Sequence, residues 1–178
     1  MKVAVTEEFQ FPPEIVFAAI TDIPHHVDWV EGPLELTSLS DGPAQLGTKW
    51  TQDTLRVGKR LITLNTCNLY EKNKKFGWHT EKPYPAQVTI LLEPGQEITK
   101  LTWKVESEAV GIVKMVEPLL TRQTSHMIQH SMNRLKDFIQ QPIHSERKRQ
   151  TKPNGFVALK RKLSMWFEAI QTRVGWRS

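Results

Sequence analysis

Hydrophobic and polar positions change their period several times along the chain, and each change predicts a different element. Residues 1–10, MKVAVTEEFQ, alternate as a charged strand. Pro12 and Pro13 suit the first turn of a helix, so Glu14 to Ile20 start there with Ile15, Val16, Ala19 and Ile20 turned inward. Thr21 and Asp22 end that helix and cap a second one, which Pro24 initiates and Val27 with Trp29 closes. Gly32-Pro33 then breaks the chain into sheet. Six segments rich in Thr, Val, Ile, Leu and aromatic residues read as strands: Glu35 to Leu39, Gly47 to Leu55, Arg60 to Glu71, Lys75 to Glu81, Ala86 to Glu93 and Ile98 to Glu106. Turn signals at Asp41-Gly42-Pro43, Val57-Gly58-Lys59 and Pro94-Gly95 separate them, which predicts an antiparallel meander.

Period-two alternation places Phe76, Trp78 and Thr80 on one face, with Val88, Ile90, Leu92 and Leu101, Trp103, Val105 as the inward sets of the next two strands. From about Ile112 to Ile139 the period becomes helical, with Val113, Val116, Leu120, Met127, Ser131, Leu135 and Phe138 near one stripe. Pro118 bends this helix or marks its true start after a short preceding turn. The predicted order is strand, two short helices, six strands and a long helix able to cover the apolar face of the sheet.

Pro12, Pro13, Val16, Ile20, Thr21, Asp22 and Trp29, followed by a strand pair and then Gly42, Gly47 and Thr48, resemble a known motif. It is that of the polyketide cyclase/dehydrase branch of the START-like, birch-pollen-allergen-like (SRPBCC) superfamily. The resemblance covers residues 1 to about 140. It implies an α+β helix-grip fold, a curved antiparallel sheet wrapped around a long C-terminal helix. Some members of this branch close or dehydrate polyketide rings with a few polar pocket residues that differ among relatives. Another branch, the chaperone-ATPase activators, works through its surface.

A curved sheet closed by one helix encloses interior volume, and apolar cavities of a few hundred cubic ångströms are typical small-molecule sites. The expected function is therefore binding of a hydrophobic small molecule or lipid-like ligand. A cyclase/dehydrase-like enzyme and a protein-interaction module are the alternatives. The candidate cavity residues are Trp50, Asn65, Cys67, Phe76, Trp78, Thr80, Val88, Ile90, Leu101, Trp103, Leu120, Met127 and Ser131. Asn65 and Cys67 are read in register with Leu69 on the long central strand. Each polar candidate has a plainer reading, in which it bonds backbone or water while the aromatic side chains fill a core.

Metal chemistry finds little support. His25-His26, or His126 and His130 four residues apart on a helix, would each need a third ligand that the sequence does not supply. His126 and His130 also fall off the apolar stripe, as residues of a solvated face do. No phosphate loop, serine elbow or reactive-cysteine motif is present. No metal and no cofactor is expected, and no catalytic residue is assigned.

Cys67 is the single cysteine, so no internal disulfide can form, and a thiol within a strand behaves as a small buried hydrophobe. No stretch approaches the roughly 20 apolar residues that span a bilayer, and the N-terminus is not a signal peptide, which predicts a cytoplasmic protein. The net charge of +5 hides an asymmetry: residues 1–139 hold 15 Lys/Arg against 17 Asp/Glu, whereas 140–178 hold 9 against 2. The mildly acidic body offers no phosphate-neutralising surface, so no nucleic-acid partner is expected.

The tail departs from the family pattern. Residues 141–155 are polar, basic and broken by Pro142, Pro153 and Gly155, as in an exposed linker. In residues 156–176, Phe156, Leu159, Leu163, Trp166, Ile170 and Val174 recur at helical spacing, while Lys160, Arg161, Lys162 and Arg173 lie largely elsewhere. This basic amphipathic helix is expected to pack on the domain or on a second subunit, to lie peripherally on an anionic membrane, or to capture another macromolecule.

Overall fold

A computed structural model describes residues 1–56, 59–81, 85–95, 97–108 and 117–141. The chain divides into two units, Met1–Pro142 and Ile143–Ser178, and the described elements all belong to the first. The amphipathic helix read over residues 156–176, the linker from residue 142 onward, and Val113 and Val116 lie outside the described residues.

The elements are β1 (Lys2–Phe9), α1 (Pro13–Thr21), a 3-10 turn (Ile23–His25), α2 (His26–Trp29), β2 (Pro33–Ser38), β3 (Lys49–Arg56), β4 (Lys59–Glu71), β5 (Lys75–Thr80), β6 (Ala86–Pro94), β7 (Thr99–Ser107) and α3 (Glu117–Gln140). The seven strands form one sheet in the order β1-β7-β6-β5-β4-β3-β2. Every pairing is antiparallel. β2 to β7 thus form the expected meander. β1 returns to the far edge beside β7, pairing Lys2 with Glu106 and Phe9 with Thr99. The fold is α+β and helix-grip, a curved antiparallel sheet with a long C-terminal helix. No helix among the described residues is long and apolar enough to cross a membrane.

Pro118 sits in the first turn of α3, where its missing N–H costs nothing. The buried stripe of α3 is Ile128, Ser131, Met132 and Leu135. This is a rotation of the predicted stripe: Ile128 and Met132 carry the contact, while Leu120 and Met127 are only half-buried.

Three further readings are corrected. Ile15 is 43% exposed, and Phe17 takes its inward place beside Val16, Ala19 and Ile20, with its ring 5.4 Å from that of Tyr70. The Asp22 side chain does not cap the following turn; its Oδ2 lies 2.8 Å from His25 Nδ1. The third correction concerns β4, where the register with β5 shifts between Cys67 and Leu69. Cys67 faces Trp78 but Tyr70 faces Phe76, so this bulge swaps the parity of the strand. Leu69 is carried to the outer face opposite Gly77, and Tyr70 turns inward in its place.

Geometry requires glycine at positions 47 and 77. Gly47, at φ +85°, occupies the left-handed region and donates its N–H to Cys67 O at 2.8 Å, tying the turn before β3 to β4. A Cβ on Gly77 would lie 2.7 Å from Val88 O and 3.2 Å from Leu69 Cβ, so only glycine lets β5, β6 and the bulged strand approach this closely.

Candidate functional site

The inner face of the sheet is an aromatic wall. Register explains its assembly: Trp103 pairs with Ile90, Ile90 with Phe76, Val88 with Trp78, and Trp78 with Cys67. Alternation turns all six inward. Asn65 stands between Trp50 on β3 and Thr80 on β5. Trp50, Asn65, Cys67, Phe76, Trp78, Val88, Ile90, Leu101, Trp103 and Ser131 are all buried. Thr80, Leu120 and Met127 are half-buried at the margin.

α2 completes the wall with two residues that the sequence reading did not place there, His26 and Trp29. Ring centroids run in a closed circuit: His26 to Trp29 4.9 Å, Trp29 to Trp103 5.9 Å, Trp103 to Trp78 6.4 Å and Trp78 back to His26 6.2 Å. Trp50 and Phe76 flank Trp78 at 5.7 and 5.6 Å. The edge-to-face pairs among them, His26–Trp29, Trp29–Trp103, Trp103–Trp78 and Trp50–Trp78, add about 0.5–1.5 kcal/mol each beyond the area they bury. The signal for Trp29 was its position at the end of a short helix facing an apolar sheet. Nothing in the His25-His26 pair distinguished the two imidazoles.

The polar atoms inside this wall are unevenly satisfied. His26 Nε2–H donates to Ile20 O at 2.9 Å. Burial away from water disfavours its charged form, so its pKa falls to about 4 despite the Ile20 carbonyl and the Asp22 charge; the ring is neutral. Burial pushes the Cys67 thiol above its ordinary value, with the Leu69 carbonyl at 3.7 Å opposing, so this is no reactive thiolate. Thr80 Oγ1 donates to Asn65 Oδ1 at 2.7 Å. Three buried donors are left with no partner: Trp29 Nε1, Trp103 Nε1 and Asn65 Nδ2.

α3 is fastened over this surface by polar contacts at its two sides. Ser131 Oγ donates to Met127 O at 2.7 Å and accepts from Glu31 N at 2.9 Å, so this hydroxyl tethers the loop after α2. Arg134 Nη2 donates to Asp28 O at 2.8 Å, and the exposed His130 meets Glu31 at 3.1 Å. Against β1, Lys136 and Gln129 both reach Glu7, at 2.7 and 2.6 Å, and hold its carboxyl below the usual carboxylate range. His126 is exposed, and no group of three or more potential metal ligands occurs among the described residues.

The outer face differs. Thr51, Ile62, Leu64, His79, Glu81 and Pro85 line an open groove of about 600 Å³. Ile62 is 64% exposed there. The inner candidates do not line this groove.

A curved antiparallel sheet gripping a long helix, with an aromatic inner wall, defines the class of the domain as α+β helix-grip. The family model described as polyketide cyclase / dehydrase and lipid transport matches residues 1–140, and the chain belongs to that family. Its fold is similar to TTHA0849 from Thermus thermophilus, at 14% identity over 78% of this chain and 97% of that one, with a TM-score of 0.67. It is also similar to a START superfamily protein from Mycobacterium smegmatis, at 14% identity, 79% and 97% coverage and a TM-score of 0.64. A third such structure is the Zhui aromatase/cyclase from a Streptomyces species, at 12% identity, 78% and 93% coverage and a TM-score of 0.66. At these identities the likeness is one of fold. No curated protein matches the chain.

Proposed function

We propose that residues 1–140 bind a hydrophobic small molecule between the inner face of the sheet and α3. The observation that supports this most is the aromatic wall with unpaired donors inside it. A wall meant only as core would place its indole N–H groups on acceptors, because a buried donor left unmet costs about 1–3 kcal/mol. Here Trp29 and Trp103 carry two such groups and Asn65 a third. The family's description, which joins ring-closing enzymes to lipid transport, agrees with a ligand in this place. Ring closure or dehydration would further need a base beside the donors. The titratable ring in the wall, His26, donates Nε2–H to Ile20 and keeps Nδ1 as its basic nitrogen, a weak base at a pKa of about 4, and binding alone needs no such step.

One observation favours a second reading, that of an interaction module acting through its surface. The inner rings touch one another, and an open groove lies on the outer face, beside the exposed Ile62. Titration with a fluorescent fatty acid and with a polycyclic aromatic probe separates the two. Binding in the micromolar range, about −8 kcal/mol, with quenching of tryptophan emission is the expected result. A broad panel of apolar probes with no saturable binding overturns the ligand reading and leaves the surface module. The basic segment 141–155 and the helix 156–176 are proposed as a linker and a separate contact element, for a membrane surface or a second copy of the chain.

A further inference from the structure

We infer that the molecule held in the grip carries oxygen acceptors that meet the indole N–H groups of Trp29 and Trp103, so that the site selects an oxygenated aromatic ligand over a hydrocarbon of the same shape. This rests on the ligand-binding reading above and adds the chemistry of the ligand to it. The two indoles arrive from different parts of the chain, one at the end of α2 and the other in the middle of β7, and their rings meet at 5.9 Å. Trp29 is fully buried and Trp103 nearly so, at 4% exposure. Both nevertheless keep a free donor.

An indole has a donor and no acceptor, so a partner for either ring must supply lone pairs. Among the neighbouring side chains, Trp78 is itself only a donor, Phe76, Ile90 and Val88 have no polar atoms, and His26, with its Nε2–H spent on Ile20, keeps a lone pair on Nδ1 to which neither indole is bonded. Asn65 repeats the pattern from the other side. Thr80 occupies its oxygen, which leaves the amide N–H₂ as the free end. Trp29, Trp103 and Asn65 thus leave three unpartnered donors in the wall, and a carbonyl, ether or carboxylate oxygen on a flat ring system complements them. A plain alkyl chain would leave them unmet.

Selectivity of this kind is asymmetric. A site built around hydrogen-bond donors penalises the analogue that lacks the acceptor more than an apolar pocket penalises an extra one, because desolvated donors are then left without partners.

The test uses the full chain and two rigid tricyclic probes of nearly equal shape, fluorenone and fluorene. Fluorenone, which has the ketone, is expected to bind about tenfold tighter or more, as one to two net hydrogen bonds imply. In the ¹H–¹⁵N spectrum it should move the indole Nε1–H resonances of Trp29 and Trp103 downfield, and fluorene should not. Trp103→Phe and Trp29→Phe keep a ring in place and remove the donor; each should reduce the preference for fluorenone. Equal affinity for the two probes overturns the inference while the ligand reading stands, and it would mean that interior water or a ring face meets these donors. A preference that survives both substitutions also overturns it. Failure of both probes to bind removes the inference together with the ligand reading. The wild-type comparison and its spectrum need no variant, so a substitution that unfolds the chain does not spoil the test.

Discussion

The two faces of one sheet have been put to opposite uses. On the inner face, Trp50, Phe76, Trp78 and Trp103 are buried, with His26 and Trp29 of α2 against Trp78 and Trp103, and the surrounding polar groups are few and specific. On the outer face the same strands present Thr51, Ile62, Leu64 and His79 to an open groove, and Asn68 pairs with Gln87 in solvent. Strand alternation alone decides which residue goes where, so Trp78 and His79, adjacent in sequence, end in different worlds. The lesson concerns chemistry as well as packing. A polar atom costs little on the outer face because water meets it, whereas the same atom on the inner face must find a partner or reserve itself for one.

The largest effect should come from removing the centre of the inner wall. Trp78 touches His26, Trp50, Phe76 and Trp103, and Trp78→Ala should cost about 3–5 kcal/mol in urea unfolding. Ile62→Ser on the outer face should stay within about 0.5 kcal/mol. Comparable losses at both positions would erase the contrast between the faces.

Acid should act next, and through the inner face. His26 has a folded pKa of about 4, below its ordinary value of 6.5, so in the window between them the unfolded chain takes up a proton that the folded chain refuses. Its contribution is complete above pH 6.5 and is lost as the pH falls toward 4, by roughly 3 kcal/mol in all. His26→Gln should flatten stability over that window. A variant with the same slope as the parent would place the pH dependence elsewhere.

Gly77 tests how closely the strands approach. Its would-be Cβ meets a backbone oxygen, which cannot rotate away, so Gly77→Ala should destabilise by about 1–3 kcal/mol. A neutral or stabilising change would show that β6 yields there. The smallest effect is expected from the tail. Deleting residues 145–178 should leave probe affinity unchanged, because the sheet and α3 lie before the cut. A large loss of affinity would put part of the site in the tail.

Much of this architecture was legible in the sequence because its signals are local. Thr, Val and aromatic alternation, bounded by Gly and Pro, marked β2 to β7 within a few residues, and helical periodicity marked α3, with Pro118 read as either a bend or its start. Parity along each strand also placed Asn65, Phe76, Trp78 and Trp103 on one face. The features that escaped depend on pairing. The bulge after Cys67 exchanges Leu69 for Tyr70, and nothing within β4 announces it, since the slip is set against β5. Neighbouring residues in a helical turn point about 100° apart, which is how His26 becomes buried while His25 stays exposed. Which of the two turns inward is decided by the sheet that α2 lands on. Likewise Ile15 and Phe17 trade places through a small rotation of α1 that the hydrophobic pattern permits either way.

The central claim is that ligand is held on the inner face, and the six tryptophans report on it separately. Titrating the full chain with a polycyclic aromatic ketone while following the indole ¹H–¹⁵N resonances tests it most directly. Saturable shifts at Trp29, Trp50, Trp78 and Trp103, with Trp166 and Trp176 unmoved, are what a ligand in the grip predicts. Shifts confined to Trp166 and Trp176, or none at saturating probe, would contradict it.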